Sequence, residues 1–560
     1  MLNKMKYSLP AAVQNDVRRE LVSWKTENKI ARIWSKDASV WTGDDEAKWL
    51  DWLTIVDEEL ADTAKYDDLR QDIEQAGFAD VLLMGMGGSS LCPEVLALTF
   101  GRSNFHILDS TVPAQVKTVE DKLDLEKTLF IVASKSGSTL EPNCFKQYFF
   151  ERVAEKVGHE NAGKQFIAIT DPGSKMEQVA KDDRFRHIFY GKPQIGGRFS
   201  ALSAFGMTAA ASMGLDPNEF LKTASEMVNE CRNSDPETNA GALLGLILGV
   251  CHKHGRDKVT IFTTPEIHDL GAWLEQLVAE STGKLGVAII PVDREPVQSS
   301  AYGTDRIFAF LAVGGNDALD EQYTAVTAAG HPAVKIELNS IEDLGQEFFR
   351  WEFATAVAGA VMQINPFNQP DVESAKIESR KITDEYEQTG SLPAEHPFFE
   401  ADGVSLYSSD EYAETLRTSE VEDSLRGFLD AHIRQIVRND YFALLAYVEM
   451  NDENEKLLST IRGKVLTRSG AATCLGFGPR FLHSTGQAYK GGGNNGVVLQ
   501  ITSDDAFDLP VPGQKYTFGV VKAAQARGDF QVLLDRGRRA LRVNLGSNVT
   551  EGLNLLAAMI

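Results

Sequence analysis

The sequence lacks paired cysteines, long apolar runs and an excess of basic residues. Its five cysteines form no Cys-x-x-Cys pair and are scattered, as is typical of free thiols in a reducing compartment. The apolar run at 241–250 is shorter than the about 18 residues that a membrane-spanning helix needs. Charges occur throughout Met1 to Lys25, which is unlike a signal peptide. We therefore expect a cytoplasmic protein that does not contact a membrane.

The charge balance is strongly acidic, with a formal net charge of −24 at pH 7. Nucleic acids and anionic membranes bind basic surfaces, so this charge argues against both partners. A small anionic substrate needs only a local concentration of positive charge. With 43% hydrophobic and 24% charged residues in a chain of 560, the composition indicates a globular protein of two or three domains.

The middle of the chain predicts an α/β fold. Between Asp80 and Gln369, short apolar runs alternate with helical patterns, which is typical of parallel sheets covered by helices on both faces. The runs form two series separated by residues 213–240, and these indicate two related lobes. The first series is Val81–Met84, Phe105–Leu108, Leu129–Ala133, Gln165–Thr170 and His187–Tyr190; the second is Val259–Thr263, Val287–Pro291, Ile307–Val313 and Ala333–Leu338.

The flanking segments differ in composition from the middle. Residues 1–77 show no strand pattern and carry tryptophans among charged residues, which predicts amphipathic helices that pack on a larger body. The acid-rich stretch 383–438 reads as a connector, and apolar runs resume at 441–448. We predict an N-terminal helical segment at 1–77, lobes at 78–235 and 236–382, a connector at 383–438 and a smaller C-terminal α/β domain at 439–560.

A Ser-rich turn between a strand and a helix predicts a phosphate site. The run Leu129–Ala133 ends in Ser134-Lys-Ser-Gly-Ser-Thr139, and Glu141-Pro142 fits the first turn of a helix. A helix N-terminus offers unpaired N–H groups and a partial positive charge, and hydroxyls orient a phosphate without bulk. Taken alone, the pattern is equally consistent with a surface turn.

Two glycine-containing turns and one helix end carry further candidate residues. Gly85-Met-Gly-Gly-Ser-Ser90 follows the first strand, where it suits a sugar phosphate or a dinucleotide. Arg198, in Ile195-Gly-Gly-Arg-Phe-Ser200, can steady an oxyanion, or it can form a structural ion pair. Gln276 and Glu280 share one helix face, and a glutamate near a helix C-terminus suits a general base because its pKa can rise. A solvated surface position is the alternative for Glu280.

Together these stretches resemble the glucose-6-phosphate isomerase family over about 80–376. The turn Gly87–Ser89, the Ser134–Thr139 turn, Gly-Gly-Arg-Phe-Ser and Gln-x-x-x-Glu-Ser-x-Gly-Lys match its motifs in order. The flanks, including Arg32–Asp37 and Gly478–Gln487, resemble the isomerase part of fused transaldolase/glucose-6-phosphate isomerase proteins. A transaldolase barrel of about 250 residues does not fit in the remaining chain. The resemblance therefore implies two sugar-isomerase (SIS) type lobes without transaldolase activity.

The resemblance also implies a role for each matched residue. Glu280 moves a proton between C2 and C1, Arg198 steadies the cis-enediolate, and Lys376 assists ring opening. The residues implied to hold the sugar and its phosphate are Gly88, Ser89, Ser134, the Lys135 N–H, Ser136, Ser138, Thr139 and Gln276. No cofactor is implied, and no carboxylate set accompanies His252 and His254 to suggest a metal site.

The chain departs from the family in two places. The family's last motif reads Phe-Asp-Gln-x-Gly-Val-Glu-x-x-Lys, and here Asn368 and Asp371 replace the aspartate and the glycine, while Lys376 keeps its spacing. The family's ring-opening histidine, often donated by a neighbouring subunit, has no counterpart in the stretch 302–308. We expect Asp305 or Arg306 to take its place, or His483 as a further catalytic residue.

We expect a metal-free isomerase of glycolysis and gluconeogenesis that interconverts glucose 6-phosphate and fructose 6-phosphate by cis-enediolate proton transfer. One alternative is a non-catalytic SIS module that binds a sugar phosphate; it would need the Ser134–Thr139 turn but neither Glu280 nor Arg198. Another is a remnant of a bifunctional transaldolase/isomerase. The sequence does not decide between a homodimer, which the resemblance implies as the usual state, and a monomer in which the C-terminal domain stands in for a partner.

Overall fold

Three sheets organise the chain, which the computed structural model describes at residues 1–297, 302–419 and 422–560. The N-terminal segment comes first and wraps the outside of the first two sheets. Its buried tryptophans, Trp24 and Trp52, lie in the same apolar core as the lobes, as the sequence predicts. The segment contains β1 (Lys4–Ser8), α1 (Ala11–Thr26), α2 (Lys29–Trp34), α3 (Ile55–Leu60) and α4 (Ala64–Ala76).

The first lobe is a parallel sheet with helices on both faces. Alternate residues of its central strands enter two different apolar cores: Leu83 and Ile131 face one, and Leu82 and Phe130 face the other. Burial on both faces explains why these strands are continuous apolar runs. The strands are β2 (Asp80–Gly85), β3 (Phe105–Leu108), β4 (Thr128–Ala133), β5 (Phe166–Thr170) and β6 (His187–Tyr190), in the order β3-β2-β4-β5-β6. The helices are α5 (Leu91–Thr99), α6 (Pro113–Glu120), α7 (Leu140–Val157), α8 (His159–Ala162) and α9 (Lys175–Asp182).

A helical layer joins the two lobes. It consists of α10 (Ala204–Ser212), α11 (Pro217–Cys231) and α12 (Ala240–Lys253). Helix α12 approaches a later helix closely through glycine: a Cβ at Gly245 would lie 2.3 Å from the Ala354 carbonyl oxygen. Helix α12, which is buried from Gly241 to Cys251, is therefore a core helix of the lobes. No described helix has the length and apolarity needed to cross a membrane.

The second lobe repeats the parallel plan, with one antiparallel addition. Its strands are β7 (Lys258–Thr263), β8 (Ile290–Asp293), β9 (Arg306–Val313) and β10 (Ala333–Leu338), and its helices are α13 (Leu270–Thr282), α14 (Asp317–Ala328) and α15 (Leu344–Met362). Strand β1 pairs antiparallel with β10, so the sheet order is β1-β10-β9-β7-β8. The prediction that 1–77 contains no strand is therefore wrong. Strand β1 gives little signal in the sequence because it is short, partly exposed and paired with a strand remote in sequence. Strand β8 also begins later than the predicted Val287, since Lys284 and Val287 bridge across a turn.

The C-terminal domain holds the third sheet, and the stretch predicted as a connector belongs partly to it. Helix α16 (Val372–Thr389) precedes β11 (Phe399–Ala401), β12 (Val404–Tyr407), α17 (Asp410–Arg417) and α18 (Leu425–Arg434). The remaining elements are β13 (Tyr441–Tyr447), α19 (Asp452–Ser469), β14 (Ala472–Phe477), α20 (Gly486–Gly491), β15 (Gly496–Thr502), α21 (Phe518–Asp535), β16 (Arg539–Asn544) and α22 (Val549–Met559). The sheet order is β11-β12-β16-β15-β13-β14, with β12 antiparallel to β16. The structure thus differs from the prediction of a bare connector, because 399–407 extends this sheet.

The C-terminal domain packs on both lobes, which places its loops over the cleft between them. Phe518 of α21 stacks on Phe145 of α7 in the first lobe, with ring centroids 6.1 Å apart. One face of the third sheet shares an apolar core with Ala279 of α13 and Ile290 of β8 in the second lobe. Contacts therefore run across the predicted bounds at 78–235, 236–382 and 439–560, which stay predictions.

Candidate functional site

The Ser134–Thr139 turn connects β4 to α7, as the sequence predicts. Ser134 Oγ accepts a hydrogen bond from the Gly137 N–H at 3.2 Å, and the hydroxyl oxygens of Ser136 and Ser138 lie 2.7 Å apart. Gly137 has φ +66°, and a Cβ there would lie 2.1 Å from the Met176 nitrogen, so the turn requires glycine. The Lys135 ammonium group is bound to Asp171 Oδ1 at 2.9 Å. The Lys135 side chain is thus held by Asp171, and the role of its N–H in binding a phosphate stays a prediction.

Two glycine turns form the floor of the cleft. A Cβ at Gly88 would lie 2.0 Å from the Gly197 carbonyl oxygen, so the two turns meet through bare backbone. Gly87 has φ +55°, and a Cβ there would lie 2.5 Å from the His483 carbonyl oxygen. Ser89 is buried beside them. These close approaches explain the glycines and bring the first lobe, residue 197 and the C-terminal domain to one point.

Glu280 lies in the last turns of α13 and is only 4% exposed. Its Oε2 accepts a hydrogen bond from Gln276 Nε2 at 3.1 Å and lies 3.8 Å from Arg198 Nη1. Burial raises the pKa of Glu280, although the charges of Arg198 and His483 oppose the shift. The alternative of a solvated surface glutamate is therefore wrong, and Glu280 has the environment of a general base.

Arg198 lies behind Glu280, almost fully buried. Its Nε donates to Ser281 Oγ at 2.8 Å, and Nη2 donates to the carbonyl oxygens of Pro366 and Asn368 at 2.6 and 3.0 Å. Burial lowers the pKa of Arg198, yet a guanidinium stays charged at neutral pH. The side chain thus fixes the segment 366–368 against α13 and holds a positive charge next to Glu280.

His483 reaches the cleft from the C-terminal domain. Its Nε2 lies 2.8 Å from Glu141 Oε1, and its carbonyl oxygen accepts a hydrogen bond from Gln276 Nε2 at 2.9 Å. The short helical turn Arg480–His483 is anchored by Arg480, which donates to both Glu94 oxygens at 2.6 and 2.7 Å. The same glutamine therefore contacts both His483 and Glu280.

Asp305 and Arg306 do not take the place of the missing histidine, and that part of the prediction is wrong. Arg306 is fully buried and donates to Glu295 at 2.9 and 3.1 Å, and Asp305 Oδ2 lies 3.1 Å from Lys258 Nζ. Glu295 in turn accepts from the Thr473 N–H at 2.7 Å. These charges join the second lobe to the C-terminal domain, away from Glu280.

Lys376 lies on the exposed side of α16, with a side chain that is 42% exposed and 3.5 Å from Glu373. The start of this helix is tied to the C-terminal domain. Asp371 accepts from Gln487 Nε2 at 2.6 Å and from Arg536 Nη1 at 2.7 Å. The same Gln487 donates to the Gly283 carbonyl oxygen at 2.7 Å, so α13 and α16 are held by one group.

The predicted site residues surround one cavity of about 370 Å³. Its wall includes all of the predicted residues except Arg198 and Ser138: Gly88, Ser89, Ser134, Lys135, Ser136, Thr139, Gln276, Glu280, Lys376 and His483. A neighbouring cleft of about 740 Å³ shares Ser136, Thr139, Lys376 and His483 and adds Ser138. Arg198 touches Glu280 from behind this wall. The predicted set is thus brought together around one cavity, whose wall holds the acid–base groups Glu280, Lys376 and His483 as well as part of the Ser-rich turn.

Two polar residues of the site were not predicted from sequence. Glu141 is buried, and Gln525 Nε2 of α21 donates to its Oε1 at 2.5 Å. Burial alone would raise the pKa of Glu141, but His483 and Lys376 outweigh it, so the pKa lies below its ordinary value. The place of Glu141 in the first turn of α7, beside the Ser-rich turn, was a usable signal. No local sequence signal points to Gln525, because only the packing of α21 against α7 brings it to the site.

The residues offer no evident metal centre. In the described parts of the chain, no group of three or more His, Cys, Asp or Glu side chains is arranged to hold an ion. The five cysteines are all buried free thiols. The chemistry that the cavity itself offers is proton transfer beside a fixed positive charge.

Comparisons with known proteins agree with this geometry. A family model described as phosphoglucose isomerase matches residues 71–313. A glucose-6-phosphate isomerase of Methanocaldococcus jannaschii is 28% identical over 338 residues, covering 54% of this chain and 83% of that protein. One of Rubrobacter xylanophilus is 29% identical over 362 residues, covering 55% and 83%. One of Gloeothece citriformis is 38% identical over 215 residues, covering 37% and 40%.

Solved structures are similar in fold. A hypothetical protein from Thermus thermophilus has a TM-score of 0.58 at 24% identity, covering 67% of this chain and 99% of that chain. A glucose-6-phosphate isomerase from Chlamydia trachomatis has a TM-score of 0.55 at 20% identity, covering 67% and 86%. At these identities the likeness concerns the arrangement of the lobes alone.

Proposed function

We propose that the chain is a member of the glucose-6-phosphate isomerase family and an aldose–ketose isomerase that interconverts glucose 6-phosphate and fructose 6-phosphate. The family-model match at 71–313 and the relatives named glucose-6-phosphate isomerase support this proposal. The observation that carries the proposal is the pairing of Glu280 with Arg198 at 3.8 Å beside a cavity whose wall also includes Ser134, Ser136 and Thr139 of the Ser-rich turn. A buried carboxylate with a raised pKa next to a fixed cation suits proton transfer through an enediolate. A phosphate-binding module without turnover would need neither group.

The proposed reaction assigns one step to each end of the cavity. The Ser136, Ser138 and Thr139 hydroxyls and the N–H groups at the start of α7 bind the phosphate. At the other end, the Glu280 carboxylate takes the proton from C2 of the open-chain aldose and returns it to C1. The negative charge that develops on the enediolate oxygens lies near Arg198, and Gln276 orients the sugar hydroxyls.

Ring opening is proposed to use His483 together with Lys376. Opening a cyclic hemiacetal moves one proton off the anomeric hydroxyl and one onto the ring oxygen. The imidazole is oriented by Glu141, and both His483 and Lys376 lie on the wall of the cavity. The C-terminal domain would then supply, within one chain, the histidine that many family members take from a partner subunit. This arrangement suits a monomer and does not conflict with a homodimer.

The cellular setting follows from the proposed activity. The reaction belongs to glycolysis and gluconeogenesis, and the free cysteines fit a cytoplasmic location. The segments outside 80–376 resemble the isomerase part of fused transaldolase/isomerase proteins. We propose only that the chain shares ancestry with those proteins, since the site contacts suit isomerase chemistry.

A coupled assay tests the function directly. Purified protein is given fructose 6-phosphate, and glucose 6-phosphate is detected by a dehydrogenase that oxidises it. We expect turnover in the unmodified protein and its loss in Glu280→Gln. Binding of fructose 6-phosphate by calorimetry without any turnover would replace the isomerase with a sugar-phosphate-binding module.

A further inference from the structure

A second cavity, of about 700 Å³, lies on the far side of the segment 365–371 from the catalytic one. The end of α13 and the turn at 284–286 form one wall, and Arg536 and Arg538 of the C-terminal domain form another. Asn368 lies on the wall of both cavities, so a single segment separates them. Neither the Ser-rich turn nor Glu280 contributes to this second cavity.

Two buried cations face this cavity without a carboxylate partner. Lys284 is 3% exposed, and its Nζ donates to the Asn365 carbonyl oxygen at 2.6 Å. Arg538 is 8% exposed, and its Nη2 donates to the carbonyl oxygens of Lys490 and Gly492 at 2.6 and 2.7 Å. In the described part of the chain, neither side chain forms an ion pair, and the Nε of Arg538 has no hydrogen-bond partner.

The other charges around the cavity are already neutralised or lie in solvent. Arg536 pairs with Asp371 at 2.7 Å, and Lys490 pairs with the buried Asp529. Asp44, the remaining carboxylate on the wall, is exposed. The wall of the cavity thus holds two basic side chains, Lys284 and Arg538, that form no ion pair among the described residues, although Asp371 acts on both at longer range. Burying a charge without a close counter-ion is costly, and burial depresses the pKa of Lys284 well below its ordinary value. An anion bound beside Lys284 would favour the charged form of the side chain.

We propose that this cavity is a second anion site, which binds inorganic phosphate or a small phosphate ester between Lys284 and Arg538. A phosphate dianion matches the two unpaired charges, whereas a single carboxylate would neutralise one of them. Guanidinium and ammonium groups are the side chains that proteins use for phosphate. The volume exceeds that of a bare ion, so an ester with a short carbon chain also fits. This site is separate from the phosphate-binding turn of the proposed isomerase and does not depend on that function.

The test is a phosphate titration of the full chain in four forms: unmodified, Lys284→Met, Arg538→Gln and Arg426→Gln. Arg426 is the matched control, because it is exposed in the same domain and donates to the Ala558 carbonyl oxygen. Inorganic phosphate and glycerol 3-phosphate are added separately, and binding is followed by calorimetry and by the rise in the unfolding temperature. The catalytic turn is intact in all four forms, so its contribution is common to them.

We expect two binding events in the unmodified protein and in Arg426→Gln. One of them should weaken by about tenfold or more in Lys284→Met and in Arg538→Gln. Tighter binding of glycerol 3-phosphate would identify an ester as the occupant, and tighter binding of inorganic phosphate would identify the free ion. Lys284→Met replaces a buried ammonium with an apolar side chain of similar length, so it decides the matter if Arg538→Gln does not fold. Identical titrations in the unmodified and Lys284→Met forms, or an equal loss in Arg426→Gln, would overturn the proposal.

Discussion

The Nε2 atom of His483 lies 2.8 Å from Oε1 of Glu141, although the two residues are 342 positions apart in the chain. The contact joins the C-terminal domain to the first turn of α7, next to the Ser-rich turn. Gln525 donates to the same carboxylate oxygen, and the depressed pKa keeps Glu141 ionised at neutral pH. An ionised carboxylate that accepts a hydrogen bond from the imidazole fixes the orientation of the ring.

The first prediction concerns the proton-transfer base. Glu280→Gln keeps the hydrogen bond to Gln276 but removes the base, so we expect kcat to fall about 10²–10⁴-fold with a modest change in KM. Glu275→Gln is the matched control on the same helix. Burial raises the pKa of Glu275 to about 8, but this carboxyl faces a different cavity, of about 290 Å³. Steady-state kinetics should show near-normal turnover in the control; similar losses in both variants would point to damage of α13.

The second prediction concerns the pH profile. Glu280 acts as a base only when ionised, so activity is lost as the pH falls through its pKa. Arg198 lowers that pKa, and Arg198→Met should therefore move the acidic limb of the kcat/KM profile to higher pH, besides slowing the reaction. Ser281→Ala removes a hydrogen-bond partner of Arg198 without changing charge, and its limb should stay in place. A limb that moved to lower pH in Arg198→Met would contradict the assignment.

The third prediction concerns the phosphate-binding turn. Replacing Ser136 and Thr139 by alanine removes contacts that persist from the bound substrate to the transition state, so KM should rise while kcat changes little. The measurement is KM for fructose 6-phosphate together with the inhibition constant of a non-reacting sugar phosphate. An inhibition constant unchanged in the double variant would place phosphate binding elsewhere, for example on the cations of the larger cleft.

Most of the fold could be predicted because parallel strands buried on both faces are recorded in the sequence as continuous apolar runs. The runs predicted in both lobes overlap strands β2 to β10, with the largest offset at β8, and the run predicted at 441–448 overlaps β13. Strand β1 was missed because its side chains are half exposed and its hydrogen bonds go to β10, far along the chain. Strands β11 and β12 were missed because they are short and lie inside a polar stretch. They pair with each other, and β12 joins the edge of the third sheet through β16, which is far along the chain.

The site was predictable where its parts are local in sequence. The Ser-rich turn, the glycine turns and the Gln276–Glu280 pair each depend on spacing within a few residues, and each lies where the motif suggested. Glu141 with Gln525 and Asp371 with Gln487 depend on contacts between domains, which no local pattern encodes. Asp305 and Arg306 were misjudged because sequence distance from Glu280 does not fix a position in space.

The fourth prediction concerns Asp371, one of the two departures from the family motif. It accepts hydrogen bonds from Gln487 and Arg536 and so holds the start of α16, which carries Lys376, against the C-terminal domain. Asp371→Asn leaves Arg536 without a carboxylate and should lower stability by about 1 kcal/mol and also lower kcat. Asp535→Asn, at the exposed C-terminal end of α21 one residue before Arg536, is the matched control.

A double-mutant cycle tests whether Asp371 and Arg536 act as one unit, which we call the clasp. If Asp371 acts through Arg536, the loss of stability in Asp371→Asn combined with Arg536→Gln should be smaller than the sum of the two single losses. The unfolding free energies of the four proteins are the measurement. Strict additivity would mean that the two residues act independently and that the clasp does not position Lys376.

The last prediction concerns ring opening. His483→Ala should slow turnover of the cyclic substrate but spare proton exchange at C1 and C2 of an open-chain analogue, because Glu280 and Arg198 remain in place. Glu141→Gln should give the same pattern with a smaller loss, since the imidazole stays but is no longer oriented by a carboxylate. His268→Ala, an exposed histidine on the wall of the 290 Å³ cavity, should change neither reaction. The comparison to make is kcat/KM for the two substrates in each variant. Equal losses on both substrates in His483→Ala would mean that the residue supports the cleft through its contact with Gln276, and no loss on either would remove it from the reaction.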